Sequence, residues 1–349
     1  MTYPGEGTWI NSCLVGANSY KVLSSEETYR SSPLEERTDD RPRLDEQHYA
    51  VVASNWDHHK LWMVFYPVQG KNVSELAEVI ERVQAAGMYQ DGFFWPFDLV
   101  QLGEVAGYLI RPIDTARYRP VRGFLGDTKA ERWDIAISMF RRIQALHSAG
   151  FTMNGFSRDQ IRVDVETNQV CIWPDGDSTR ISCLPAQVRR NDYLSIPARA
   201  EEEMVQWGNT VSGALRDVFS GAVLAFYLLF FTHPFVGSAY WPLMREDYWI
   251  QYMHQPSYIF DPAGENRLGY LDFEQEIQDL WKKTSPDLRG MFDDLFLAVT
   301  HPGEAGDDRL RQAMDIPRWI RLLEADAAAN GAPEQRTRFP FEMMNNYQV

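Results

Sequence analysis

Residues 217–237 read DVFSGAVLAFYLLFFTHPFVG, and the reading of this stretch decides the fold. Its centre, Gly221 to Phe231, is the most apolar run of the chain. A bilayer-spanning helix needs about 20 apolar residues, and this run is too short for that. The pattern instead predicts a buried helix over Arg216–Phe231, opened by Asp217 and followed by the turn His233-Pro234-Phe235-Val236-Gly237.

Working outward, further helices are expected downstream at Phe273–Lys283, Pro286–Thr300 and Ile316–Asn330. Upstream, Ile135, Met139, Ile143 and Leu146 recur at helical spacing within Arg132–His147, and Gly150 is a plausible stop. Two short strands, Arg162–Val165 and Gln169–Ile172, are joined by Glu166-Thr167-Asn168. Before Pro112 the character changes to strands: Thr8–Leu14, Ser19–Leu23, Tyr49–Ala53, Leu61–Tyr66, Leu99–Gln101 and Tyr108–Ile110. One amphipathic helix, Val73–Ala86, interrupts them, with Ser74 where a cap is wanted and Leu76, Val79, Ile80 and Val83 on one face. Residues 24–47 are polar and read as an exposed insertion, and residues 332–349 as a terminal arm.

Length and composition bound the answer. The chain has 349 residues, 44% of them hydrophobic, which suits one large two-part unit or two ordinary domains. A formal net charge of −15 argues against sequence-independent binding to nucleic acid or to an anionic membrane. Cys13, Cys171 and Cys183 have no metal-ligand spacing and fit three free thiols in a reducing, cytoplasmic compartment. No charged start followed by an apolar core signals secretion. The adjacent His58-His59 point different ways and make a poor metal site.

A strand-rich part with one helix, followed by a helical part, is the plan of the protein kinases, and several motifs occur in the order that plan requires. Phe94 to Val100, then Gly107 to Pro112, looks like the strand pair entering the interlobe hinge. Leu146-His147-Ser148-Ala149-Gly150 resembles the end of the long helix before a kinase catalytic loop. Asp217-Val218-Phe219-Ser220 resembles the opening of the buried kinase helix, and His233–Gly237 resembles H-P-F-x-G. Leu280–Phe292 and Arg311–Leu323 resemble the last helices. The resemblance covers roughly Leu61 to Leu323. It is most similar to degenerate bacterial kinase-like proteins found beside von Willebrand A domain proteins and metal-dependent phosphatases.

That resemblance implies an α+β, two-lobed protein-kinase-like fold. Residues 1–112 would form a small antiparallel-sheet N-lobe and residues 113–331 a larger helical C-lobe. Phosphoryl transfer on such a fold needs a lysine on the third strand, an aspartate that orients the hydroxyl nucleophile, and acidic or amide ligands for magnesium. The resemblance places Val64, within Leu61–Pro67, where the lysine belongs, with Lys60 and Lys71 out of register. It places Met153–Gln160 at the catalytic loop, with Gly155 at the aspartate and Gln160 at the metal-binding asparagine. Asp159 is the nearest carboxylate. Around Trp173-Pro174-Asp175-Gly176-Asp177 two registers stay open: in one Asp175 is the metal aspartate with Asp177 beside it, in the other Trp173 holds the position. Gly5-Glu6-Gly7 is a weak nucleotide-loop fragment, more simply a turn. Glu75, Glu78 and Glu81 read as a solvated helix face.

The scaffold positions survive better. Asp217 resembles the aspartate that anchors the catalytic-loop backbone, and equally suits a helix N-terminus, where the dipole favours a carboxylate. One of Glu201, Glu202 or Glu203 is expected to pair with Arg309 or Arg311. Trp241, Tyr248 and Trp249 are core residues or line a partner surface. The expectation is a pseudokinase that acts by binding another protein, with no cofactor. The alternative is a divergent phosphotransferase or nucleotidyltransferase using ATP, magnesium, Asp175, Asp177 and Asp159.

Overall fold

The computed structural model describes residues 6–14, 18–26, 48–54, 60–67, 73–86, 92–103, 105–110, 116–121, 128–156, 160–172, 194–208, 211–240, 242–243, 247–269 and 272–331. The chain divides into two compact units, residues 1–118 with 171–185, and residues 119–170 with 186–349.

The first unit is a sheet with one helix. Strands β1 (Trp9–Asn11), β2 (Ser19–Glu26), β3 (His48–Ser54) and β4 (Lys60–Pro67) precede helix α1 (Val73–Ala85). Strands β5 (Asp98–Leu102) and β6 (Val105–Ile110) follow, turning at Gly103 with φ +60°. The order is β1-β2-β3-β4-β6-β5, each named pairing antiparallel. The two outer strands meet. Ser12 bridges Val100, and the Cys13 N–H donates to the Leu99 carbonyl at 2.7 Å. The sheet therefore closes on itself, which removes exposed edges. Ile10, Tyr20, Val22, Val52, Val100 and Leu109 pack together as one apolar cluster. Ile80 of α1 packs with Leu99, Ala106, Tyr108 and Ile110 as a second.

A buried carboxylate sits at the seam. Asp98 is 1% exposed and accepts from Ser12 Oγ at 2.6 Å, from its neighbour Leu99 N–H at 2.8 Å, and from the Tyr20 hydroxyl. A buried carboxylate is tolerated only when so satisfied.

Two expectations for this unit change. Strand β2 runs on through Glu26, three residues into the expected insertion at 24–47, pairing Ser24 with Val51 and Glu26 with Tyr49. A register shift between Val22 and Ser24 breaks the period-2 pattern and hides the continuation from sequence. The rest of that insertion lies outside the described residues. Helix α1 starts at Val73, so Ser74 is inside it and is no cap.

The second unit is mainly helical and carries most of one short sheet, of which Tyr118, Cys171 and Ile172 belong to the first unit. Strands β7 (Tyr118–Pro120), β8 (Ile161–Asp164) and β9 (Gln169–Ile172) lie in that order. The helices are α2 (Lys129–Ser148), α3 (Ala198–Gln206), α4 (Gly213–Phe230), α5 (Asp247–His254), α6 (Asp272–Lys283), α7 (Pro286–Thr300), α8 (Glu304–Ala313) and α9 (Ile316–Asn330). Helix α2 begins three residues before the expected Arg132 because Thr128 and Glu131 form a capping box. Thr128 Oγ1 accepts from the Glu131 N–H at 3.2 Å, and the Thr128 N–H donates to Glu131 Oε2 at 2.6 Å. Asp326 of α9 accepts from both the N–H and the hydroxyl of Ser285, the residue that caps α7.

Helix α4 is the hub. By length and composition alone it is long enough to cross a membrane, but 78% of it is buried inside the fold. It packs on α2, and a Cβ on Gly221 would lie 2.6 Å from Ile143 Cδ1. A side chain there would have to displace the end of the Ile143 side chain from the α2–α4 contact. Further along, Phe226 meets the rings of Phe230, Tyr258, Phe260, Trp281, Phe292 and Phe296.

Four elements were not expected: β7, α3, α5 and α8. Helix α3 buries only Ala200 and Met204, and α8 reads EAGDDRLRQA, polar with an internal glycine. Helix α5 is eight residues long. Helices α3 and α8 offer too few apolar repeats for a helical period to register, and α5 and β7 are too short.

One ionisable group in this unit links fold to pH. Tyr258, fully buried, donates to Asp293 Oδ1 at 3.0 Å. Burial pushes the Asp293 carboxyl up to about 6, the Tyr258 bond and the Arg289 and Arg309 charges only partly opposing it. The folded state therefore holds this proton more tightly than the unfolded chain. Its contribution is complete below the ordinary aspartate pKa and fades as pH rises through about 6. A shift of roughly two units corresponds to about 3 kcal/mol. Asp293→Asn is expected to be more stable than wild type at pH 7.5 and to lose that advantage at pH 4.5. Denaturant unfolding at both pH values checks this, and an advantage equal at both would contradict it.

Candidate functional site

The start of the segment read as the catalytic loop, Met153–Phe156 of Met153–Gln160, is held against α4 by side chains of that helix. Helix α2 ends at Ser148, and Gly150 follows with φ +79°, a left-handed residue just past a helix end. The expected stop thus falls where it was placed. His147, in the last turn of α2, lies with Nε2 3.0 Å from Asp217 Oδ2. The same carboxylate accepts from the Met153 N–H at 2.9 Å and the Gly155 N–H at 2.7 Å. Asp217 is 0% exposed, and burial pushes its carboxyl pKa up against the pull of these three bonds.

Of the two readings of Asp217, the geometry selects one. Helix α4 starts at Gly213, so Asp217 stands in its second turn, beyond the first turn where a helix dipole acts on a carboxylate. Its carboxylate instead ties down the loop backbone. One turn further on, Ser220 repeats the device. It accepts from the Phe156 N–H at 3.1 Å and donates to the Leu194 carbonyl at 2.9 Å. At the helix start, a Cβ on Gly213 would lie 2.3 Å from Thr152 Oγ1 and 2.5 Å from Asn154 Oδ1, so a larger residue there would displace these two side chains. Ser220 as a loop-binding residue, and Gly213 as the point where α4 passes close to Thr152 and Asn154, were missed. The serine was visible only as part of a motif, and nothing marks the glycine before contacts are known.

At the position matched to the catalytic aspartate, Gly155 has φ +92°. A Cβ there would find room, 3.4 Å from Ser220 Oγ and 3.6 Å from Arg216 Cβ. The obstacle is the backbone: this is left-handed space that side-chain-bearing residues enter at a cost. Asn154 before it has φ +57°. The loop is thus wound in a conformation suited to glycine, and none of its described residues, 149–156, carries a carboxylate. Gln160 is 6% exposed and already engaged in the fold.

In the first unit, Val64 lies on β4, opposite Tyr49 of β3 and Tyr108 of β6. Lys60 is opposite Ala53, four residues away, about 13 Å along an extended strand. The hairpin two strands before α1 is β2–β3, and the residues linking it, 27–47, contain no glycine. Kinases cover the nucleotide phosphates with a glycine-rich loop at that hairpin. Gly7, by contrast, precedes β1 and donates its N–H to the Val22 carbonyl at 2.8 Å, a turn with φ +84°. Gly5, Lys71, Asp159, Trp173, Asp175 and Asp177 lie outside the described residues, so neither metal register is decided. His58, His59, Cys183 and the side chains of Glu75, Trp241 and Trp249 lie outside them as well. Glu78 and Glu81 are exposed. Among the described residues no group of three or more His, Cys, Asp or Glu is placed to hold a metal ion.

The expected pairing of the acidic triplet with α8 is corrected. Glu201 pairs with Arg216, its two oxygens 2.9 and 3.3 Å from Nε and Nη2. Glu203 pairs with Arg199 one turn earlier, and Arg311 with Asp308. Arg216 is the residue before Asp217, so the same stretch of α4 holds both the loop and α3. Tyr248 is buried edge-on against Tyr240 and lines no surface.

No family model matches the chain, and no curated protein matches it. Solved structures do: 1806 chains match, so the likeness is to a populous fold and not to one protein. Among them is the autoinhibited serine kinase domain of the giant muscle protein titin, 13% identical, with a TM-score of 0.54 over 94% of this chain and 86% of that one. Such low identity speaks for the fold alone. The chain has an α+β, protein-kinase-like fold.

Proposed function

We propose that this chain uses the protein-kinase fold as a protein-binding scaffold or allosteric regulator and transfers no phosphoryl group. The observation that carries the reading is Gly155: Asp217 holds its N–H at 2.7 Å, while no side chain is present to orient a nucleophile. The loop has kept its anchor and lost its chemistry. Removing a general base costs typically 10²–10⁴-fold in rate. A valine at the lysine position and a glycine-free link at the phosphate-covering hairpin reduce nucleotide affinity as well. The expected partner is another protein, by sequence resemblance a von Willebrand A domain protein or a phosphatase. The net charge of −15 disfavours nucleic acid and anionic membrane, and three cysteines without metal-ligand spacing suit a reducing cytoplasm.

Two measurements test the reading. With millimolar ATP and Mg²⁺, the melting temperature is expected not to move, and labelled ATP is expected to pass no phosphoryl or nucleotidyl group to protein acceptors. Gly155→Asp is expected to stay inactive and to lose about 1–3 kcal/mol to backbone strain. Transfer activity, or a Mg²⁺-dependent shift abolished by Asp175→Ala or Asp177→Ala, would establish the divergent phosphotransferase instead.

A further inference from the structure

Five large apolar side chains stand exposed among the described residues, and three of them belong to one pair of packed helices. Val205 is 62% exposed near the end of α3, Trp207 is 63% exposed as its C-cap residue, and Ile250 is 57% exposed on α5. Single exposed apolar residues are ordinary on soluble proteins. Three on adjoining helices, one of them a tryptophan, are less so, because tryptophan is the residue most enriched at binding hot spots. The other faces of these helices are committed to the core: Ala200 and Met204 on α3, Tyr252 and Met253 on α5 are buried. The Tyr252 hydroxyl donates to the Ser195 carbonyl at 2.5 Å, fastening α5 to the start of α3. The two helices are thereby tied to the fold while these apolar side chains stay exposed.

Charge narrows what this face takes. Arg199 and Glu203 cancel in their own ion pair, and Glu201 is neutralised by Arg216. Glu202 and Asp247 remain as exposed carboxylates with no countercharge among the described residues. A second copy would set these carboxylates, and two chains of charge −15, against each other. A partner with basic side chains meets complementary potential.

We infer that the exposed face of α3 and α5 docks a protein segment carrying an apolar anchor flanked by Lys or Arg. This rests on the reading of the chain as a binding module and gives that partner a chemistry.

Random displayed peptides selected on the full chain, with counter-selection on a Trp207→Asp/Ile250→Asp variant, test the inference. Both positions are exposed, and an unchanged Tm verifies that the variant folds. The selected peptides are expected to be net basic with an apolar anchor, to bind wild type at least 10-fold more tightly than the variant, and to weaken as salt rises. Binding unaffected by Trp9→Asp, an exposed position in the first unit, fixes the location. The inference is overturned if selection yields no binder, if the peptides are acidic, or if they bind wild type and variant alike. A wild-type dimer in sedimentation that the variant dissolves would assign the face to a second copy and overturn it too. Phosphoryl transfer in the assays above would defeat the scaffold reading by a separate readout, so the two failures are told apart.

Discussion

Asp217→Ala is expected to lower the unfolding free energy by about 3–5 kcal/mol, the effect of orphaning buried donors and unpinning a loop. The carboxylate accepts from two backbone N–H groups and faces His147, all from the segment spanning the end of α2 and the loop after it. Alanine removes every acceptor at once. Each buried N–H left without a partner costs about 1–3 kcal/mol. Asp217→Asn keeps one carbonyl oxygen and is expected to lose about half as much. Denaturant unfolding measures both, and amide exchange at Met153 and Gly155 locates the effect, since those protons should exchange far faster in the alanine variant. A loss below about 1 kcal/mol, with exchange unchanged, would mean that the loop holds its shape without α4.

That prediction shows why the scaffold was more legible than the site. Helix α4 and the turn after it announced themselves through an unbroken apolar run, and burial enforces such a run wherever a helix is surrounded. Helices α7 and α9 and strand β9 also fall at the expected residues, α7 and α9 through apolar residues at helical spacing such as Leu288, Met291, Phe292 and Leu295 or Ile316, Trp319 and Leu323. Asp217 was readable because a carboxylate beside an apolar helix has few possible purposes. Its role in the second turn, as opposed to a helix start, needed the true beginning of α4 at Gly213, which no apolar residue marks.

The rest depended on geometry that leaves little trace in composition. That Gly155 is held by its N–H and wound at φ +92° follows from where α4 lies, not from the letters of the loop. Glu201 found Arg216 on the nearest helix and not an arginine of α8, because side-chain pairing follows distance in space. The glycine-free link joins β2 to β3, whereas Gly7 precedes β1 at the edge of the sheet order. A short motif without a register is weak information. The pairing of β2 with β3 supplied the register.

The second large effect concerns the core that makes α4 rigid enough to hold the loop. Phe226→Ala is expected to cost about 4–5 kcal/mol, the upper part of the range for a buried phenylalanine. The ring is 0% exposed and lies 4.6 Å from Phe230, 5.4 Å from Phe292 and 5.8 Å from Trp281, centroid to centroid. Aromatic pairs in tilted and edge-on arrangements add to the plain loss of buried area. Phe226→Leu, which keeps most of the volume, is expected to cost about 1.5 kcal/mol or less. Phe226 lies nine residues beyond Asp217, roughly 13.5 Å along the helix. At that separation, effects on stability normally add within about 0.5 kcal/mol. Phe226→Leu combined with Asp217→Asn is therefore expected to show the sum of the two single losses in denaturant unfolding. Coupling above about 1 kcal/mol would mean that the aromatic core and the loop anchor share one packing arrangement, so that an event at either end of α4 is felt at the other. Additivity would leave the loop as a local fixture on a rigid helix, which is what a scaffold requires.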